Sequence, residues 1–146
     1  MFESAEIGHK IDKNTYKVEE PVLREALLDI QYELKEYGKF PVIILINGVD
    51  GAGKGETVNL LNEWMDPRLI STQAFGKCSD EERERPRMWR YWRALPANGR
   101  IGILFGSWYS DPIIGRVTGD LKTSELDHQI DEIVRFEKML AHDGVV

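Results

Sequence analysis

The segment Gly48-Val-Asp-Gly-Ala-Gly-Lys-Gly55 constrains this chain more than any other. It follows a continuous apolar run, Pro41-Val-Ile-Ile-Leu-Ile-Asn47, and precedes apolar residues at helical spacing, Val58, Leu61 and Met65. A short run rich in β-branched residues reads as a strand buried on both faces, the kind found in parallel sheets. Glycines between such a strand and a helix let the backbone curl so that several N–H groups converge, and the helix start adds its positive end. Lys54 contributes a full charge. The spacing Gly48, Gly53, Lys54 fits the G-x-x-x-x-G-K phosphate-binding loop in the strand, loop and helix context that it requires. The next residue is Gly55, so the hydroxyl that normally ligates Mg²⁺ is missing, and Thr57 is too far along to replace it simply. Asp50 places an anion beside the expected phosphates. It either bridges Mg²⁺ or orients an acceptor, or it is a turn residue bonded to its own backbone.

Around this loop the pattern alternates strands and helices. A helix is expected from Glu19 to Gly38, with Pro21 in its first turn and Leu23, Leu27, Ile30 and Leu34 at helical spacing. Asp66-Pro67 stops the helix after the loop. Further strands are expected at 69–75 and 101–105, and a long helix from about Ser124 to His142. Residues 1–17 lack periodicity and read as an arm. Residues 80–98 read as a helix interrupted at Pro86 and closed by the turn Pro96-Ala-Asn-Gly99. Gly144-Val-Val146 reads as the start of another strand, which implies a piece of a longer protein. The expected class is α/β with a parallel sheet.

Charge narrows the function. The net charge of −6 excludes a general nucleic-acid or membrane coat. Yet six of the ten arginines (Arg83, Arg85, Arg87, Arg90, Arg93 and Arg100) fall between residues 83 and 100. Either this segment faces a polyanion, or it is a solvated helix whose arginines pair with Glu81, Glu82 and Glu84. Trp89 and Trp92, three apart in it, either stack on a nucleotide base or pack. The longest apolar stretches, 42–46 and 101–109, are far below the ~20 residues of a membrane-spanning helix. The acidic N-terminus shows no secretory signal, and the lone Cys78 fits a reducing cytoplasm.

Three stretches together carry a resemblance. The loop 48–55, Met88-Trp-Arg-Tyr-Trp-Arg-Ala-Leu-Pro96, and Ser107-Trp-Tyr109 followed by Arg116-Val117 resemble the polyphosphate kinase 2 family. Met1-Phe-Glu-Ser-Ala-Glu-Ile-Gly8 is similar to the N-terminus of its two-domain members, the polyphosphate:AMP phosphotransferases. The resemblance implies a P-loop kinase-like three-layer α/β/α sandwich with a parallel sheet and an arginine-rich helical lid over residues 80–98. It implies Mg²⁺-dependent phosphoryl transfer between inorganic polyphosphate and a nucleotide (AMP giving ADP). The implied partner is a second domain of the same kind or another copy of the chain. It further implies that Asp50, Lys54 and Arg90 are catalytic, with Asp50 at the metal. Gly51, Ala52, Gly53, Lys54, Gly55, Glu56 and Arg116 would hold phosphate.

One departure stands out. The family's second motif reads Phe-Asp-Arg-Ser-Trp-Tyr, whereas this chain has Leu104-Phe-Gly-Ser-Trp-Tyr109. The metal-holding aspartate is Phe105 and the arginine is Gly106. A phenyl ring cannot coordinate Mg²⁺, so the expectation is a domain that is catalytically impaired and serves a fused active partner by packing or polyphosphate docking. The alternatives are a domain that is itself an active polyphosphate-dependent nucleotide kinase, with Asp50 and water holding the metal, and an ATP-dependent P-loop kinase, which the arginine-rich segment fits less well.

Overall fold

The computed structural model describes residues 10–146. The run 42–46 forms β1 (Val42–Ile46), and the segment after the loop forms α2 (Lys54–Trp64). They are preceded by α1 (Lys13–Tyr37) and followed by β2 (Ile70–Ala74), β3 (Ile101–Phe105), α5 (Ser110–Thr118) and α6 (Thr123–His142). Between β2 and β3 lie two single turns, α3 (Asp80–Arg83) and α4 (Trp89–Trp92). The strands are parallel in the order β1-β3-β2, with Ile44 and Thr72 both in register with Ile103.

Side-chain alternation along the strands divides the core in two. Val42, Ile44, Ile46, Ile101 and Ile103 pack with Leu34 of α1 and Val58 of α2. Ile43, Leu45 and Leu104 face Tyr91 of α4 and Ile133, Phe136 and Leu140 of α6. Helices on both faces of a parallel sheet make the three-layer α/β/α arrangement. The central strand β3 is buried at Ile101 through Leu104, whereas β1 is only half-buried along its length. Beyond β1, Val146 donates to the Pro41 carbonyl (3.1 Å) and accepts from the Ile43 amide (2.7 Å), which is parallel pairing on the strand's outer edge.

Several boundaries differ from the sequence reading. The helix α1 begins at Lys13, not Glu19, so residues 13–17 of the expected arm are helical; the arm's first nine residues lie outside those described. Asp12 sets the start by accepting from the amides of Asn14 and Thr15 (2.9 and 3.1 Å), which leaves Pro21 inside the helix. Residues 13–17 bury nothing, so no periodicity betrayed them. In α6 the Glu125 carboxylate accepts from the Lys122 amide (3.0 Å) and fixes the start just ahead of Ser124. The helix α5 was not anticipated, because it has only nine residues and Ile113, Ile114 and Val117 are exposed.

The stop after α2 is a polar clamp. Gln31, buried on α1, exchanges two hydrogen bonds with the Asp66 backbone (3.0 and 2.7 Å). The Asp66 carboxylate accepts from the Arg68 amide and Nε and from the Tyr32 hydroxyl (all 2.9 Å). Hydrogen bonding to Arg68 above all holds the Asp66 carboxyl well below the usual carboxylate range. A depressed folded-state pKa gives stability that is present at neutral pH and lost as pH falls below the unfolded value of about 4. Asp66→Asn should therefore flatten the acid side of the stability profile. Urea midpoints between neutral pH and pH ~3 check this, and equal slopes for parent and variant would refute it.

Candidate phosphate-binding site

The chain leaves β1 at Ile46 and turns before entering α2 at Lys54. Gly51 and Gly53 take φ of +80° and +77°, backbone that strains any residue with a Cβ, and Gly53 caps the helix. As a result the amides of Gly51, Gly53, Lys54, Gly55 and Glu56 have no intramolecular partner among the described residues. Ala52 differs, since its amide is committed to the Val49 carbonyl (3.2 Å). The Lys54 ammonium lies over the loop, donating to the Gly48 and Val49 carbonyls (2.6 and 2.8 Å) and standing 3.7 Å from Asp50 Oδ1. The Glu56 carboxylate curls back toward Gly53, next to the helix's positive end.

Above the loop is a cavity of about 650 Å³. Lys54, Asp50 and Asn47 line its floor, Ala74, Phe75 and Phe105 its back, and Ile113, Ile114 and Val117 of α5 its far wall. Asn47 ties these parts together. It donates to Ser107 Oγ (2.7 Å) and accepts from Ser110 Oγ (3.0 Å), while Ser110 Oγ also accepts from the Ser107 amide (3.1 Å). Sequence reasoning did not single out Asn47, Ser110 or the three aliphatic residues of α5. The run Ser110-Asp-Pro112, with Gly119 past the end, was the signal that could have marked that helix.

The residues around the loop do not make a Mg²⁺ site. Asp50 is fully exposed, Gly55 has no hydroxyl, and Phe105 presents its ring to the cavity at the tip of β3. No group of three or more His, Cys, Asp and Glu able to hold a metal occurs among the described residues. Gly106 cannot readily regain the family's arginine, for its φ is +80° and a Cβ there would lie 3.0 Å from the Phe75 carbonyl oxygen.

The structure keeps Arg90 and Arg116 out of this cavity's lining. Arg90 is buried, donating to Cys78 Sγ (2.9 Å) and the Gly76 carbonyl (3.1 Å), with its Nε 3.2 Å from Glu82. Its guanidinium stacks over the Phe75 ring at 5.1 Å and lines a smaller pocket of about 230 Å³ that shares Ala74 and Phe75 with the cavity. The Ser79 amide, and then Arg90, hold the Glu82 carboxyl below its ordinary range. Arg116 is exposed in the last turn of α5. Elsewhere in the arginine-rich segment, Arg87 pairs with Glu132 and Gln129 of α6, and Arg85 and Arg93 stack on Trp89 (5.5 and 4.8 Å). Much of the cluster therefore serves packing, and burial pushes the neighbouring Tyr91 phenol up to about 12. No helix among the described residues is long and apolar enough to cross a membrane.

A family model for polyphosphate kinase 2 matches residues 10–146. The chain belongs to the polyphosphate kinase 2 family. Among curated polyphosphate kinase 2 relatives, a polyphosphate:AMP phosphotransferase of Pseudomonas aeruginosa is 61% identical over all 146 residues, and one of Pseudomonas syringae pv. tomato is 57% identical. In each case the chain spans only 29% of the relative's length. The crystal structure of a candidate polyphosphate kinase 2 from Pseudomonas aeruginosa PA01 superposes with a TM-score of 0.91 at 61% identity, over 99% of this chain and 32% of that one. Polyphosphate kinase 2 from Arthrobacter aurescens TC1 gives 0.87 at 29% identity, over 95% of this chain and 50% of that one.

Proposed function

We propose that the intact protein transfers a phosphoryl group from inorganic polyphosphate to AMP in the cytoplasm, forming ADP. This chain supplies a phosphate-binding domain with little chemistry of its own. The names of the long relatives support the first part, and one juxtaposition supports the second. Lys54 lines the cavity and a row of unpartnered amides lies along the same loop, while Phe105 occupies the strand tip where the family motif carries its metal-holding aspartate.

Phosphoryl transfer asks a protein mainly for in-line placement and for positive charge on the equatorial oxygens. The loop can place and hold a terminal phosphate through backbone N–H donors, and Lys54 can exchange its two carbonyl partners for phosphate oxygens. Among the lining residues there is no second cation to meet the charge that develops as the phosphoryl group leaves. The Asp50, Lys54 and Gly51–Glu56 set is thus read as binding machinery. Arg90 is read as a positioning residue that holds residues 76–78 beside the cavity. Arg116, at the flank, is read as a phosphate contact for a chain extending out of it. The metal-dependent step is assigned to a second polyphosphate kinase 2-like domain or a second copy.

Phe105→Asp alone, with Gly106 kept, tests the assignment. Mg²⁺ should tighten pyrophosphate binding about tenfold in the variant and less than about twofold in the parent, read by calorimetry. An unchanged Mg²⁺ response would overturn the lost-metal explanation. So would turnover of AMP and polyphosphate by the parent chain at the rate of the full-length enzyme.

A further inference from the structure

We propose that the small pocket between the end of β2 and α4 is an anion site that this chain keeps filled with its own carboxylate, Glu82. The polar side chains lining it are Gln73, Glu82, Arg90 and Arg93, and no residue of the phosphate loop takes part. Two guanidinium groups there meet one carboxylate, which leaves a net positive charge. The volume of about 230 Å³ falls below the roughly 300–1,000 Å³ of ordinary small-molecule sites, so it suits a single phosphate group.

Arg90 carries the inference. Its side chain is only 8% exposed. The terminal nitrogens are spent on Cys78 Sγ and the Gly76 carbonyl, but the buried Nε makes no hydrogen bond. Glu82 Oε1 stands 3.2 Å from that nitrogen, close enough to pair in charge yet poorly aligned as an acceptor. The reason lies in the cap of α3. The other Glu82 oxygen accepts from the Ser79 amide (2.8 Å), while Ser79 Oγ accepts from the Glu82 amide (3.2 Å). The capping box, and not the guanidinium, therefore sets the angle of the carboxylate. A buried N–H without an acceptor is costly, and a phosphate free of that tether can turn to meet it. Arg93, held over the Trp89 ring at 4.8 Å, supplies the second charge. The Ser79 amide above all, then Arg90 and Arg93, keep Glu82 below the ordinary carboxylate range, so the plug is ionised at neutral pH. Because α3 is a single turn of four residues, which little besides its cap sustains, its unwinding withdraws Glu82 and opens the pocket.

Pyrophosphate and AMP, titrated separately by calorimetry into Lys54→Met and Lys54→Met/Glu82→Gln, test the proposal. Lys54→Met removes the loop's cation, so the outcome does not depend on the loop reading. The two ligands offer the same head group from a chain end and from a nucleotide, and the one that gains identifies the source. At least one should bind the double variant about tenfold more tightly, and adding Arg93→Met should abolish the gain. Glutamine keeps an oxygen for the Ser79 amide, so the urea midpoint should hold. Ser79→Ala in the Lys54→Met background, which loosens α3 without touching the pocket, should give a gain of about threefold. By heteronuclear NMR, the Arg90 Nε–H signal should shift with ligand in the double variant and stay in place in Lys54→Met alone. No gain in either variant, or a gain that survives Arg93→Met, overturns the proposal. So does a shifted Arg90 signal in Lys54→Met alone, because the pocket would then be open with Glu82 in place.

Discussion

Lys54→Met should weaken pyrophosphate binding by roughly 30- to 150-fold, the equivalent of the ~2–3 kcal/mol of a charge-assisted hydrogen-bonded contact. The same change should leave the urea midpoint nearly unmoved. The reasoning starts from where the ammonium sits. It caps two loop carbonyls at the surface and faces the cavity, so a ligand replaces those carbonyls and removal of the head group deprives the phosphate of its one nearby cation. Methionine keeps the length of the stem, and Thr57 still fastens the helix start through its hydroxyl bond to the Gly53 carbonyl (3.0 Å). Lys54→Arg is the informative companion. It retains charge but spreads it over a planar fork that the close loop carbonyls do not suit, so intermediate affinity is expected. Parent-like affinity in Lys54→Met would show that anions do not bind here.

Trp108→Ala should cost about 3–5 kcal/mol of stability, the range for truncating a large buried aromatic side chain. Trp108 is only 3% exposed and meets Tyr91 and Phe136 edge-on at 5.6 and 5.1 Å. Its indole N–H donates to Glu137 (2.9 Å), an oxygen that the Tyr109 hydroxyl also uses. Truncation would open a void between β3 and α6 and leave that carboxylate with one donor fewer. Trp108→Phe separates the two effects, because it restores most of the ring but not the hydrogen bond and should cost about 1–2 kcal/mol. Denaturant titration of both variants is the measurement. A loss below about 1 kcal/mol for the alanine variant would mean that Trp108 is not where the sheet and α6 meet.

The two changes illustrate which parts of this protein could be read from its residues. The strands were legible because Val42–Ile46 and Ile101–Phe105 are short, apolar and bounded by glycine or proline, and the loop because its glycines and lysine fall between a strand and a helix. Strand order was not legible, since nothing local says that β3 inserts between β1 and β2. The start of α1 was obscured because Pro21 imitates a first-turn proline while the true cap, Asp12, precedes residues that bury nothing. Arginines were the hardest to place. Composition marks the cluster at 83–100 but cannot distinguish Arg90, wedged against Phe75 and Cys78, from Arg93, stacked on an indole. The apolar wall was hidden for a similar reason. Ile113, Ile114 and Val117 carry no motif that singles them out, and only the position of α5 brings them to the cavity.

The Asn47 amide gives the site a mechanical property. One side chain joins the end of β1 to the turn after β3 and to the first residue of α5, so the floor under Lys54 and the wall opposite it are fastened to one post. A guest entering between them meets a rigid mould, not two jaws that must close. Recognition should then depend on fit, with little ordering entropy lost on arrival and little backbone rearrangement between empty and filled forms.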